Sequence, residues 1–145
     1  MSARHIVALF ATGAMLVLLS ACGPDLARKT VVVGQQELEV WIADTEQDRA
    51  EGLMAVPRLD DDEGMLFVWE DPGFGAFVIK DVDYALDVAF VAEDGRILAI
   101  ESLAPGGPER AESRKAYLWA IEARAGWFEE KGVAEGDTFE YSPDP

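Results

Sequence analysis

The side chains best placed to do chemistry lie between positions 80 and 87: Lys80, Asp81, Asp83 and Asp87. An ammonium beside carboxylates can hold a small polar or anionic ligand while a carboxylate orients it or takes its proton. Lys80 and Asp87 flank a short connection and could meet at a sheet end. The same pair also reads as structural, with Asp87 accepting hydrogen bonds from loop backbone N–H groups, since ion-pair networks perturb titration without any catalysis. Asp87 sits in the apolar row ALDVAFV. An unpaired charge buried there costs several kcal/mol, so it must be paired or hydrogen-bonded. The structural reading outweighs the functional one, because no nucleophile or second catalytic partner accompanies the pair.

Three further constellations are weaker. The run Asp60-Asp61-Asp62-Glu63 suggests a hard cation, but it lacks the alternating ligands, central glycine and distant glutamate of an EF-hand. A solvated loop is the expectation, with no metal. Asp87 with Glu101 or Glu122 could form a glycosidase-like carboxylate pair, which requires a separation of about 5 or 6.5–9.5 Å across a cleft. Trp41, Trp69, Trp119 and Trp127 could stack on sugars, yet tryptophan is mostly buried, and core is expected for at least three of them. Alternation places Trp119 in a row with Tyr117 and Ile121.

Composition narrows the chemistry. Residues 6–20 carry no charge and follow Arg4, a stretch of about 15 residues, whereas a membrane-spanning helix needs about 20. This is the pattern of a secretory leader. Leu19-Ser20-Ala21-Cys22 resembles the lipobox of bacterial lipoproteins, so Cys22 is expected to be lipidated and to open the mature chain. Cys22 is the sole cysteine and His5 the sole histidine. After cleavage no histidine and no free thiol remain, which excludes thiol nucleophiles, Ser-His relays and Cys/His zinc sites. No cofactor is expected. With 12 basic and 28 acidic side chains the net charge is −16, and loss of the leader removes Arg4 as well. That field repels nucleic acid and anionic headgroups. The membrane partner is then reached through acyl chains on Cys22. Gly23 stands where an aspartate would signal inner-membrane retention, so the periplasmic face of the outer membrane is expected if the source is Gram-negative.

The elements that must position these residues follow from periodicity. Residues 29–33 and 37–43 alternate as strands around Gly34-Gln35, and Thr45 with Asp48 marks the N-cap of a short helix over 46–53. Residues 64–69 (GMLFVW) read as a buried strand, Asp71-Pro72-Gly73 as a turn, and 75–79 as a further strand. Residues 85–101 form a hairpin through Asp94-Gly95, the most organising stretch of the chain. Leu86, Val88 and Phe90 point one way, Asp87, Ala89 and Val91 the other. The segment 102–115, with Pro105-Gly106-Gly107-Pro108, reads as an exposed, mobile loop. A strand over 117–122, a short helix over 125–131 closed by Gly132, and a strand over 138–141 complete the chain. The expected division is a leader over 1–21, a lipidated tether over 22–28 and one domain over 29–145. That domain is mainly β, a compact β-sandwich or barrel-like unit with one or two short helices.

In this order the chain resembles the uncharacterised domain of unknown function 192 over roughly residues 38–141. The likeness rests on Gly52-Leu53-Met54, Gly64-Met65-Leu66-Phe67, Phe77 with Lys80, Leu86-Asp87, Asp94-Gly95, Glu122 with Gly126-Trp127, and Gly136-Asp137. The resemblance implies a β-sandwich-like domain commonly exported in bacteria, and it brings no activity. The chain departs from the usual pattern at Val56 (usually arginine), Val78-Ile79 (Trp-Met), Asp81-Val82 (Asn-Thr) and Ala85 (proline). If the family shares a polar pocket, this member has altered or lost part of it.

The functional expectation is a monomeric, non-enzymatic binding or accessory module of the cell envelope. Its pocket near Lys80, Asp81, Asp83 and Asp87 would take a small polar ligand, a glycan or an envelope protein. The alternative is a carboxylate-based hydrolase of envelope glycans. A third expectation places function on the loop 102–115.

Overall fold

The computed structural model describes residues 23–108 and 110–142 of the chain, so the expected leader and the lipidation site at Cys22 lie outside the described residues. The first hairpin joins β1 (Arg28–Val33) to β2 (Gln36–Ala43) through Gly34, whose φ of +64° suits a residue without a Cβ. Helix α1 (Glu46–Glu51) starts where expected. The Thr45 hydroxyl accepts from the Asp48 backbone N–H, and the chain tightens into a 3-10 turn over Gly52–Ala55 instead of continuing the helix. This crossover lets β3 (Glu63–Gly73) pair parallel with β2.

The remaining strands are β4 (Ala76–Val78), β5 (Leu86–Val91), β6 (Ile97–Leu103), β7 (Arg110–Glu112), β8 (Tyr117–Arg124) and β9 (Phe139–Glu140), with helix α2 (Trp127–Glu130) between the last two. With β1, β2 and β3, four of these form one seven-stranded sheet in the order β6-β5-β8-β3-β2-β1-β9, and β4 pairs with β7 in a separate ribbon. The sheet curls until its edges meet. Phe139 N–H donates to the Gly95 carbonyl at 2.7 Å and Ile97 N–H to the Asp137 carbonyl at 2.9 Å. The result is a mainly β half-barrel with two short helices, as the sequence pattern implies.

Both faces of the sheet are covered, which explains why β5 is buried at every position. One face packs Val40, Ile42, Leu66, Ala89 and Ile121 under Trp127 and Phe128 of α2. The other packs Met65, Phe67, Val88, Phe90 and Ala120 under the 3-10 turn and the β4 region. Gly64 sits where β3 and β8 approach most closely. A Cβ there would lie 2.3 Å from the Glu122 carbonyl oxygen, so only glycine fits.

Three expectations change. The segment 102–115 is not wholly a loop: β6 runs to Leu103, and Arg110–Glu112 pair antiparallel with Ala76–Val78. Asp71-Pro72-Gly73 belongs to the end of β3, because Gly73 pairs with Tyr117 after a register shift beyond Val68. That shift also parts Tyr117 from Trp119. Tyr117 packs in the second cluster, while Trp119 and Ile121 pack with the first.

Candidate functional site

Register decides which residues can meet. Across β5 and β8, Asp87 lies opposite Ala123 and Val88 opposite Glu122. Paired residues share a face, and successive ones alternate. Asp87 therefore faces the α2 side and Glu122 the opposite side.

On the α2 side the Asp87 carboxylate is buried and accepts two hydrogen bonds, from Ser102 Oγ at 2.6 Å and from Gly126 N–H at 2.7 Å. Gly126 has a φ of +83° and opens α2. Asp87 thus ties the edge strand β6 and the start of α2 to β5. The expected pairing with Lys80 does not form. Lys80, Asp81 and Asp83 are exposed on the connection from β4 to β5, where Asp81 adopts a left-handed φ of +52°. Asp87 borders an open depression of about 440 Å³ on the α2 side, and of the four proposed binding residues only Lys80 borders the more enclosed cavity across the sheet.

That cavity, about 340 Å³, lies on the other side of the sheet, at the small end of ligand sites, which span ~300–1,000 Å³. Phe67 and Trp69 of β3 and Tyr117 of β8 give it one wall. Phe77 with its neighbours in and around β4 gives another, and Gly52-Leu53-Met54 of the 3-10 turn a third. The rings brace each other edge to face: Phe67 and Phe77 at 4.8 Å between centroids, Trp69 and Tyr117 at 5.2 Å. At the mouth stand Met54, Phe74 and Val78, the exposed large apolar side chains among the described residues.

One buried acid lies within these walls. Glu122 is 6% exposed, in the row Trp41–Met65–Glu122–Val88. Its carboxyl meets no hydrogen-bond or ion-pair partner among the described residues. No fully enclosed side-chain polar atom there is left without a partner, so the carboxyl oxygens keep contact with the cavity. Burial alone pushes its pKa from 4.5 up to about 8, and the group holds its proton at neutral pH. Tyr84 feels the same environment. Desolvation, with Glu122 nearby, raises its hydroxyl to about 12, and that hydroxyl donates to the Val56 carbonyl.

The other sequence candidates separate. Asp87 and Glu122 cannot face one cleft. Glu101 lies on the same face as Glu122 but beyond Val88, two strand spacings away or about 10 Å. The four adjacent acids are spent on surface ties. Asp60 meets Arg58, Asp61 meets Arg124, and Glu63 meets Arg28. Asp62 accepts from the Trp127 indole N–H and pairs with Lys131, interactions that lower its pKa. No group of three or more potential metal ligands converges among the described residues. Trp41 and Trp127 are buried, and Trp69 and Trp119 pack against the two cores.

As a site residue, sequence reasoning gives Glu122 only as half of a carboxylate pair, though the family likeness also includes it, and it misses the cavity. The signal was present: a lone acid in the β8 run YLWAIEA, flanked by Ile121 and Ala123. Residues that carry the family likeness also gather here. Gly52-Leu53-Met54, Phe67 and Phe77 line the cavity, as do Lys80, Leu86 and Glu122. So do Val78 and Ile79, where the chain departs from the usual pattern.

Comparison with known proteins agrees with this geometry. No curated protein matches the chain. A solved structure from Sinorhizobium meliloti 1021, described as that of a candidate transcription regulator, superposes with a TM-score of 0.72 at 28% identity, covering 79% of this chain and 94% of its own. A protein of unknown function from Novosphingobium aromaticivorans superposes with a TM-score of 0.69 at 27% identity, covering 80% and 85%. The family model described as Uncharacterized ACR, domain of unknown function 192, matches residues 29–141. The chain belongs to that family of uncharacterised domains.

Proposed function

We propose that this chain is a non-enzymatic binding module of the cell envelope, anchored through acyl chains on Cys22, whose ligand enters the cavity above Glu122. One observation carries the reading: an aromatic, apolar cavity encloses a single buried carboxyl that the protein leaves without a partner. Small-molecule sites combine apolar walls with a few fixed polar groups in this way. The ligand is therefore a small molecule with an apolar body and one polar group. Lys80 contributes at the rim, while Asp81, Asp83 and Asp87 serve the connection and the fold. Leu26, close after Cys22, packs against the same core cluster as the cavity walls, so the tether leaves the domain on the cavity side.

The alternative is a carboxylate-based hydrolase. A carboxyl held protonated near neutrality is what a general acid requires, and Glu51 lines the same cavity. Binding is favoured because Glu51, the second carboxylate, is exposed and held on α1 by Gln47. A role on nucleic acid is disfavoured by the net charge of −16.

The test is a fragment screen read by NMR. Binders should shift the Trp69 indole and Met54 methyl signals and leave Trp127 unmoved. Hits that map only to the α2 side would overturn the reading, and turnover of a glycan that is lost in Glu122→Gln would transfer it to the hydrolase.

A further inference from the structure

We infer that the ligand carries a protonated amine on its apolar body, and that Glu122 is the residue that recognises the ammonium group. This rests on the binding reading above and adds the ligand's charge.

The first support is the missing counter-charge. Glu122 is nearly fully buried yet touches the cavity, and neither nearby cation serves it. Arg49 is engaged elsewhere: its guanidinium donates to the carbonyls of Asp44 and Val68 and stacks on Trp69 at 5.4 Å. Lys80 is exposed at the rim and forms no ion pair among the described residues. A buried carboxyl in that position persists either as the neutral acid or beside an incoming cation. An ammonium supplies three donors to an acceptor that has none.

The walls provide the second support. Phe67, Trp69, Phe77 and Tyr117 surround the space with π-systems, which attract ammonium groups and accept the hydrocarbon body that carries them. The third support acts at long range. A net charge of −16 concentrates cations and repels anions around the whole molecule. Glu51 at the rim carries the same preference to the cavity mouth.

Binding has a stoichiometric signature. The ammonium ligand arrives with its proton, Glu122 gives up its own, and that proton goes to the buffer. Burial raises the hydroxyls of both Tyr84, beside Glu122, and Tyr117, in the cavity wall, so neither gives up its proton in this range.

The experiment is calorimetric titration of the full chain with 2-phenylethylamine, 2-phenylethanol and 3-phenylpropanoate, each at pH 7 in two buffers of different ionisation enthalpy. The amine is expected to bind at least tenfold more tightly than the alcohol and to release close to one proton, falling toward zero by pH 9. The carboxylate is expected not to bind. In Glu122→Gln the amine preference and the proton release should vanish. A carbon-13 label on the Glu122 carboxyl gives the same answer without a variant, through a shift to the ionised form on addition of amine. Equal binding of amine and alcohol without proton release overturns this inference and leaves the cavity reading standing. Absence of binding by all three overturns both.

Discussion

Asp87 and Glu122 lie on adjacent strands, one residue out of register, and project from opposite faces of the same sheet. That offset gives two buried acids different tasks. Asp87 is satisfied by Ser102 and Gly126, whereas Glu122 is satisfied by nothing in the described protein.

Asp87 should behave as a fold determinant. Asp87→Ala leaves the half-buried Gly126 N–H without its acceptor and releases the exposed Ser102 hydroxyl to water, a loss of about 1–3 kcal/mol. Asp87→Asn keeps one acceptor for Gly126 and should lose less. Urea denaturation of both variants checks the order; equal stability of Asp87→Ala and wild type would remove Asp87 from this role.

Glu122 should tie stability to pH with the opposite sign from a salt-bridged acid. Its carboxyl titrates near 4.5 when exposed and at about 8 when folded. Between those values the folded state holds a proton that the unfolded state has lost, so stability falls as pH rises, by about 1.4 kcal/mol per unit. Below 4.5 the effect is absent, and above about 8 the whole penalty, roughly 3–5 kcal/mol, is in place. Glu122→Gln lacks that slope. Its stability relative to wild type should climb from near zero at pH 4.5 to a plateau above pH 8. Denaturation curves across this range that run parallel for the two proteins would contradict it.

Gly64→Ala should be among the most damaging single changes. The added methyl would meet the Glu122 carbonyl at 2.3 Å and Leu38 at 3.1 Å, so β3 and β8 must separate. Overpacking of this kind costs about 1–3 kcal/mol or more. A fall in melting temperature of many degrees is expected, together with loss of the Trp69 response to any cavity ligand.

Phe74 should separate binding from stability. It is 74% exposed at the cavity mouth. Phe74→Ala is expected to change stability by no more than about 0.5 kcal/mol, as surface substitutions usually do. Affinity for a cavity ligand should fall severalfold, which calorimetry reads directly.

Local pattern in the chain specified most of the strands, the first hairpin, the Thr45 cap and the mainly β class. Alternation, turn residues and capping are local signals carried by neighbours along the chain. It also determined which way Leu86–Val91 point, because period-2 alternation needs only the strand. The need of Asp87 for partners was legible, and so was a loop backbone N–H as one kind of partner, but which residues supply them was not. Ser102 and Gly126 are brought to it by strand pairing and by the start of α2, both non-local. The expected meeting of Lys80 with Asp87 failed for the same reason: closeness along the chain does not fix the face of a sheet. The strand at Arg110–Glu112 was hidden because its pairing with Ala76–Val78 comes from a distant segment. That Glu122 sits beside a cavity follows from the folded arrangement alone. Parity along β8 assigns it a side, but the 3-10 turn, β3 and the β4 region must converge before that side encloses a space. An acid's neighbours in space, not those in sequence, decide whether it is a tie or a binding group.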